Sequence, residues 1–94
     1  MAIHIYKEKA HKNLIFVMDF DLIEELNPMW LYLKTKTGVR VSEYNDVIIF
    51  SNHMRLMILF IVDNFLVKNN KGVNEFLEML KANEGMDAIY FEGE

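Results

Sequence analysis

Ile3 and Ile5 alternate with His4 and other polar neighbours, the period of a half-buried strand, and a first strand is expected over about 2–7. The stretch Lys7–Asn13 is polar and reads as a connection. Leu14-Ile15-Phe16-Val17-Met18 is a short continuous apolar run rich in β-formers, so a buried strand is expected there. Next, Leu22, Ile23 and Leu26 fall on one face of a short helix over 21–26, with Glu24 and Glu25 facing out. Asp19 or Asp21 can accept from the free N–H groups of its first turn. Pro28 removes a donor and pushes Asn27 out of the α region, which breaks that helix. Residues 28–37 then allow two readings. Pro28 can open a second helix toward Gly38 with Asn27 as its cap. Alternatively, Trp30 to Thr37 forms a strand, supported by its aromatic and threonine content and by the alternation of Tyr32, Lys34 and Lys36 against Leu31, Leu33 and Thr35. The strand is preferred. Val39–Ser42 alternates again, Glu43–Asp46 reads as a connection, and Val47–Phe50 completes an expected meander.

Ser51 or Asn52 is suited to cap a helix over 53–67, which is apolar nearly all round and is therefore expected to be central, covered on more than one side. The polar stretch Lys68–Gly72 ends it. Val73, Phe76, Leu77 and Leu80 then recur at helical spacing, with Glu75, Glu78 and Lys81 outward, giving an amphipathic helix over 73–83. Asn83 and Gly85 terminate that helix, and Met86 to Phe91 is expected to form a last strand. The pattern as a whole predicts one α+β domain over 1–94. Its sheet is mainly antiparallel, of about four to six strands, and packs on the apolar helix 53–67 and the amphipathic helix 73–83. No repeat or interdomain linker interrupts it.

Composition adds limits. Hydrophobic residues make up 52% of the 94 residues, enough for a packed core, and a domain this small leaves apolar surface that a partner or a second copy can cover. The chain has no cysteine, which removes disulfides, thiolate nucleophiles and cysteine zinc ligands. The longest apolar run, Leu56–Val62, is far short of the roughly 20 residues that span a bilayer. The N-terminal residues show no export signal, so a cytoplasmic protein is expected, without a membrane partner. The net charge is −4, and it is unevenly placed. Residues 13–29 hold Asp19, Asp21, Glu24 and Glu25 with no Lys or Arg, and residues 82–94 hold Glu84, Asp87, Glu92 and Glu94, again unopposed. The basic residues Lys7, Lys9, Lys12, Lys34, Lys36 and Arg40 are too sparse to track a phosphate backbone, so no nucleic-acid partner is expected.

Candidate chemistry is thin. His4, His11 and His53 are the only side chains that titrate near neutrality unperturbed, and none stands in a metal-ligand spacing. A histidine-dependent hydrolase requires them to converge in a pocket. The four scattered glycines form no phosphate-cradling loop. Asp19, Asp21, Glu24 and Glu25 lack the spacing of a calcium loop and read first as carboxylates at a helix N-terminus, or else as an acidic face for a basic protein. No catalytic residue, metal site or cofactor is therefore expected, and the protein is read as a binding protein rather than an enzyme.

In its small size, its lack of cysteine, its acidic segments Asp19–Glu25 and Glu84–Glu94 and its spare apolar surface, the chain resembles the immunity proteins of bacterial toxin–immunity pairs, including those of contact-dependent growth inhibition. The resemblance covers no motif. It implies a cytoplasmic inhibitor that neutralises a cognate toxin, a nuclease for example, by presenting carboxylates to a basic toxin domain. On that reading Asp19, Asp21, Glu24 and Glu25, or else Asp87, Glu92 and Glu94, meet the toxin, with Tyr44 and Tyr90 as anchors. The alternative is a homo-oligomeric regulatory or structural protein without catalytic activity, a homodimer in the simplest case.

Overall fold

In the computed structural model, which describes residues 2–64 and 70–93, the chain opens with a hairpin of β1 (Ala2–Glu8) and β2 (Lys12–Asp19). Two helices follow, α1 (Phe20–Glu25) and α2 (Asn27–Thr37). After an irregular segment come β3 (Val47–Phe50), α3 (Ser51–Asn64), α4 (Lys71–Asn83) and β4 (Ala88–Gly93). The strands form one antiparallel sheet in the order β2-β1-β4-β3, so the last strand is inserted between the first and the third. The expected α+β class is therefore found.

Strand alternation decides which face the helices cover. Ile3, Ile5, Met18, Ile49, Ile89 and Phe91 are buried and join one core with the apolar faces of the helices. At its centre lies Phe76 of α4, fully buried, whose ring meets those of Phe16, Trp30 and Phe91 edge-on at centroid distances of 5.8, 6.0 and 6.4 Å. α4 starts where Asn70 Oδ1 accepts from Val73 N, as its helical spacing and polar leader require.

The preference for a strand at 28–37 is overturned, and the helical alternative holds. Met29, Trp30 and Leu33 are buried at helical spacing, whereas Leu31, which a strand would pair with Leu33, is 64% exposed. Pro28 sits in the first turn, where its missing N–H costs nothing. The threonines that favoured a strand turn their hydroxyls back on the helix: Thr35 Oγ1 donates to Leu31 O and Thr37 Oγ1 to Leu33 O. Gly38 stops the helix at φ 80°, a left-handed conformation that glycine adopts without strain. Leu26, not Asn27, occupies the N-cap, with no side-chain cap. Buried Trp30 instead secures the junction, its Nε1–H donating to Ile23 O at 2.9 Å.

The strand expected at 39–42 is absent as well. Val39 and Val41 pack against the core from an irregular segment, and β3 pairs with β4 from Val47↔Phe91 to Phe50↔Ala88 rather than with a preceding strand. α3 buries His53, Met54, Met57 and Ile61 and packs against α2, α4 and β3, so it is covered on more than one side as expected, while Leu59 and Val62 are more than half exposed. Phe65, Leu66 and Val67, the expected end of this helix, lie outside the described residues. β4 starts two residues later than the pattern suggested, because Met86 N still donates to Asn83 O in the turn after α4.

His53 carries a pH dependence. Phe50 N–H donates to its Nδ1 at 3.0 Å, so the native bond needs an unprotonated acceptor there, and burial holds the imidazole below its ordinary value of 6.5. As pH falls, the unfolded chain protonates His53 before the native state does, and the native state loses ground. Stability is thus full above the ordinary histidine value and declines below it, until the folded group also protonates. Urea titrations at about pH 7.5 and about pH 5.5 are expected to show a smaller loss at acid pH for His53→Gln than for the parent.

Candidate functional site

The register places the starts of β1 and β3 and the ends of β2 and β4 at one end of the sheet, since Ala2 faces Asp19, Ile3 faces Gly93 and Val47 faces Phe91. The acidic segment 19–25 and the last residues of β4, far apart in sequence, therefore approach the same end. Asp19 closes β2 and caps α1, its Oδ1 accepting from Leu22 N at 2.9 Å. Asp21, Glu24 and Glu25 follow on exposed positions of α1. Glu25 is tied to the start of α4, its Oε1 accepting from Asn70 Nδ2 at 2.7 Å.

Across the same end runs the segment 43–46. Gly93 N donates to Asp46 Oδ1 at 3.2 Å, and the backbone of Glu43 lies so close to Gly93 that any Cβ there would collide with it. This docking presents Tyr44 at 75% exposure, between Glu43 and Asp46. Neither carboxylate was singled out from the sequence. Their signal, two acids flanking a tyrosine, gains meaning only when the segment is laid beside β4. From β2 to β3 the end spans three strand spacings, about 14 Å.

The other expected contact residues divide. Asp87 stands just before β4, at the opposite end of the sheet, where its carbonyl accepts from Ser51 N. It does not share a surface end with Asp19. Glu94 lies outside the described residues. Glu92 faces away from the helices, but its side chain is only 12% exposed and pairs with His11 Nε2 at 2.8 Å. Tyr90 is half-buried on the same outer face, directly across from Tyr6 and Ile48.

The His11 contact shows that the β1–β2 hairpin curls over the outer face. Ala10 and His11, at φ 64° and 60°, both adopt the left-handed conformation that a tight hairpin turn demands, and the His11 ring meets Tyr6 edge-on at 5.1 Å. Under the tip lies a hollow of about 270 Å³ bordered by Lys9, Ala10, Ile48, Tyr90, Asp46 and Glu92. His4, opposite Glu92 on β1, shares this face, while His53 is built into the core side at the start of α3. Two of the three histidines thus approach one carboxylate. No group of His, Asp and Glu suited to hold a metal ion exists among the described residues. No helix among them is long and apolar enough to cross a membrane.

Compared with known protein families, curated proteins and solved structures, the chain matches none.

Proposed function

We propose that the protein is a protein-binding inhibitor of the immunity type, which neutralises a basic toxin domain through a charge-complementary interface at the acidic end of the sheet. The supporting observation is the convergence there of Asp19, Asp21, Glu24 and Glu25 with Glu43 and Asp46 beside exposed Tyr44. Carboxylates so arranged raise the encounter rate with a cationic partner and disfavour acidic ones, while a protruding tyrosine supplies the apolar anchor that charge alone lacks. Asp87 and Glu92 are outside this interface, the first by position and the second because His11 occupies it.

The test is affinity capture from the native host with low-salt and high-salt washes, followed by titration of the recovered partner. One stoichiometric basic protein released by salt is expected. Reversing Asp21, Glu24 and Glu43 to lysine together is expected to weaken the complex by about a hundredfold or more, whereas Asp87→Lys at the far end leaves it within about threefold. Recovery of the protein alone, or equal binding by both variants, would overturn the reading.

A further inference from the structure

We infer that β2 is a homodimer seam, through which two copies of this chain join edge to edge into one continuous antiparallel sheet. Among the described residues β2 pairs only with β1, leaving its other edge open over eight residues. Such an edge is a template for another strand unless the sequence guards it. The residues along it are self-complementary.

The pairing with β1 fixes the faces. Lys12, Leu14, Val17 and Asp19 oppose Glu8, Tyr6, His4 and Ala2, which are alternate residues of β1, so all four lie on the outer face. Phe16 and Met18 oppose Ile5 and Ile3 on the core face. Ile15 is the extra residue at the irregularity between Ile5 and Tyr6, and it shifts the alternation by one. A bulge often twists an edge away from pairing. Here it has a further consequence: Leu14 and Val17, or Lys12 and Asp19, which would fall on opposite faces of a regular strand, share one face.

Turned about a two-fold axis between Ile15 and Phe16, the strand meets its copy in the register Lys12↔Asp19, Asn13↔Met18, Leu14↔Val17 and Ile15↔Phe16. The pairs Lys12↔Asp19 and Leu14↔Val17 then each join residues of the outer face. The only formal charges on β2, Lys12 and Asp19, meet as opposite charges at both ends of the seam. Leu14 and Val17, exposed by 51% and 47%, cover one another twice. On the core side, a hollow between the edge and α4 is bordered by Ile15, Phe16, Met79 and Ala82 together with Glu75 and Glu78, and the Ile15 and Phe16 of the second copy come to lie against its apolar residues. A two-fold contact of this type closes on itself, so it stops at a dimer. The two acidic ends point away from each other; Asp19 of each is met by Lys12 of the second copy, and Asp21, Glu24, Glu25, Glu43 and Asp46 stay available to a partner.

Sedimentation equilibrium and light scattering from micromolar to millimolar chain test the seam. The mass is expected to rise from one chain to two and no further. Lys12→Glu places like charges at both ends, and Leu14→Glu breaks the apolar pair; each is expected to raise the dissociation constant about tenfold or more, because the change acts twice. Both positions are exposed, so circular dichroism and melting should confirm an intact monomer. Asp19 also caps α1, so its reversal is read only in the swap Lys12→Asp with Asp19→Lys, which is expected to bind at least several times more tightly than Lys12→Asp alone. A single-chain mass at every concentration, a dimer indifferent to Lys12→Glu and Leu14→Glu, or a swap no tighter than the single change would overturn the seam.

Discussion

Phe76→Ala is expected to lower the free energy of unfolding by about 3–5 kcal/mol, a large share of the roughly 5–15 kcal/mol that holds a small domain folded. Phe76 has no exposed surface, and its ring is the shared neighbour of Phe16 from β2, Trp30 from α2 and Phe91 from β4. Truncation removes the transfer energy of the ring and leaves a cavity where three elements meet, which none can fill without moving the others. In urea the transition midpoint is expected to fall with little change in slope. The exposed Leu59→Ala change, on the uncovered side of α3, is expected to stay within about 0.5 kcal/mol. If Phe76→Ala proves as mild as Leu59→Ala, the three-ring junction is not the centre of the core.

Gly93→Ala is expected to have the second largest effect, divided between stability and binding. An ideal Cβ at Gly93 would lie 2.6 Å from the Glu43 carbonyl carbon and 3.1 Å from Asn45 N, backbone atoms that no rotamer change can move aside. Either the segment 43–46 leaves β4 or the end of β4 shifts, and the bond from Gly93 N to Asp46 is lost in both cases. Overpacking of this kind costs about 1–3 kcal/mol. The same segment carries Glu43, Tyr44 and Asp46, so partner binding is expected to fall about tenfold or more while the core stays folded. Amide exchange at 43–46 together with titration of the partner checks both halves. Normal exchange with normal binding would mean that the segment is not held by its contact with β4.

The hairpin strands, α1, β3, α4 and β4 were legible because each has a period or a punctuation mark that local chemistry can enforce, but β2, expected to be buried from its continuous apolar run, is an edge strand with Leu14 and Val17 about half exposed. Asp19 before Leu22 caps α1 as read, and Asn70 before Val73 caps α4. α2 was misread because its local signals conflict. Thr35, Thr37, Trp30 and Tyr32 favour a strand, and the apolar positions 29, 30 and 33 become one face only in a helix. Tertiary packing resolved the conflict: Trp30 gains a buried hydrogen bond to α1 and a ring contact with Phe76 that a strand would not supply. The error spread to Val39–Ser42, whose alternation matched a strand but which has no strand partner.

For the candidate site, the sequence identified Asp19, Asp21, Glu24 and Glu25 without their geometry and did not single out Glu43 and Asp46. It showed two acidic segments and an isolated Tyr44, but whether those segments share a surface depends on the order β2-β1-β4-β3, which no local pattern encodes. Asp87 and Glu92 illustrate the limit: five residues apart and of like charge, they end in different settings, because one precedes the strand and the other is met by a histidine 81 positions away in the chain.

What the sequence determined by itself was the α+β class, the faces of most elements and the uneven charge, because hydrophobic period, caps and turn residues act over a few neighbouring positions. The state of residues 28–42, the insertion of β4 between β1 and β3, the acidic end built from 19–25 and 43–46, and the edge position of β2 were decided only in three dimensions. Those features rest on contacts between distant segments, whose energies depend on what each residue packs against rather than on which residues precede and follow it.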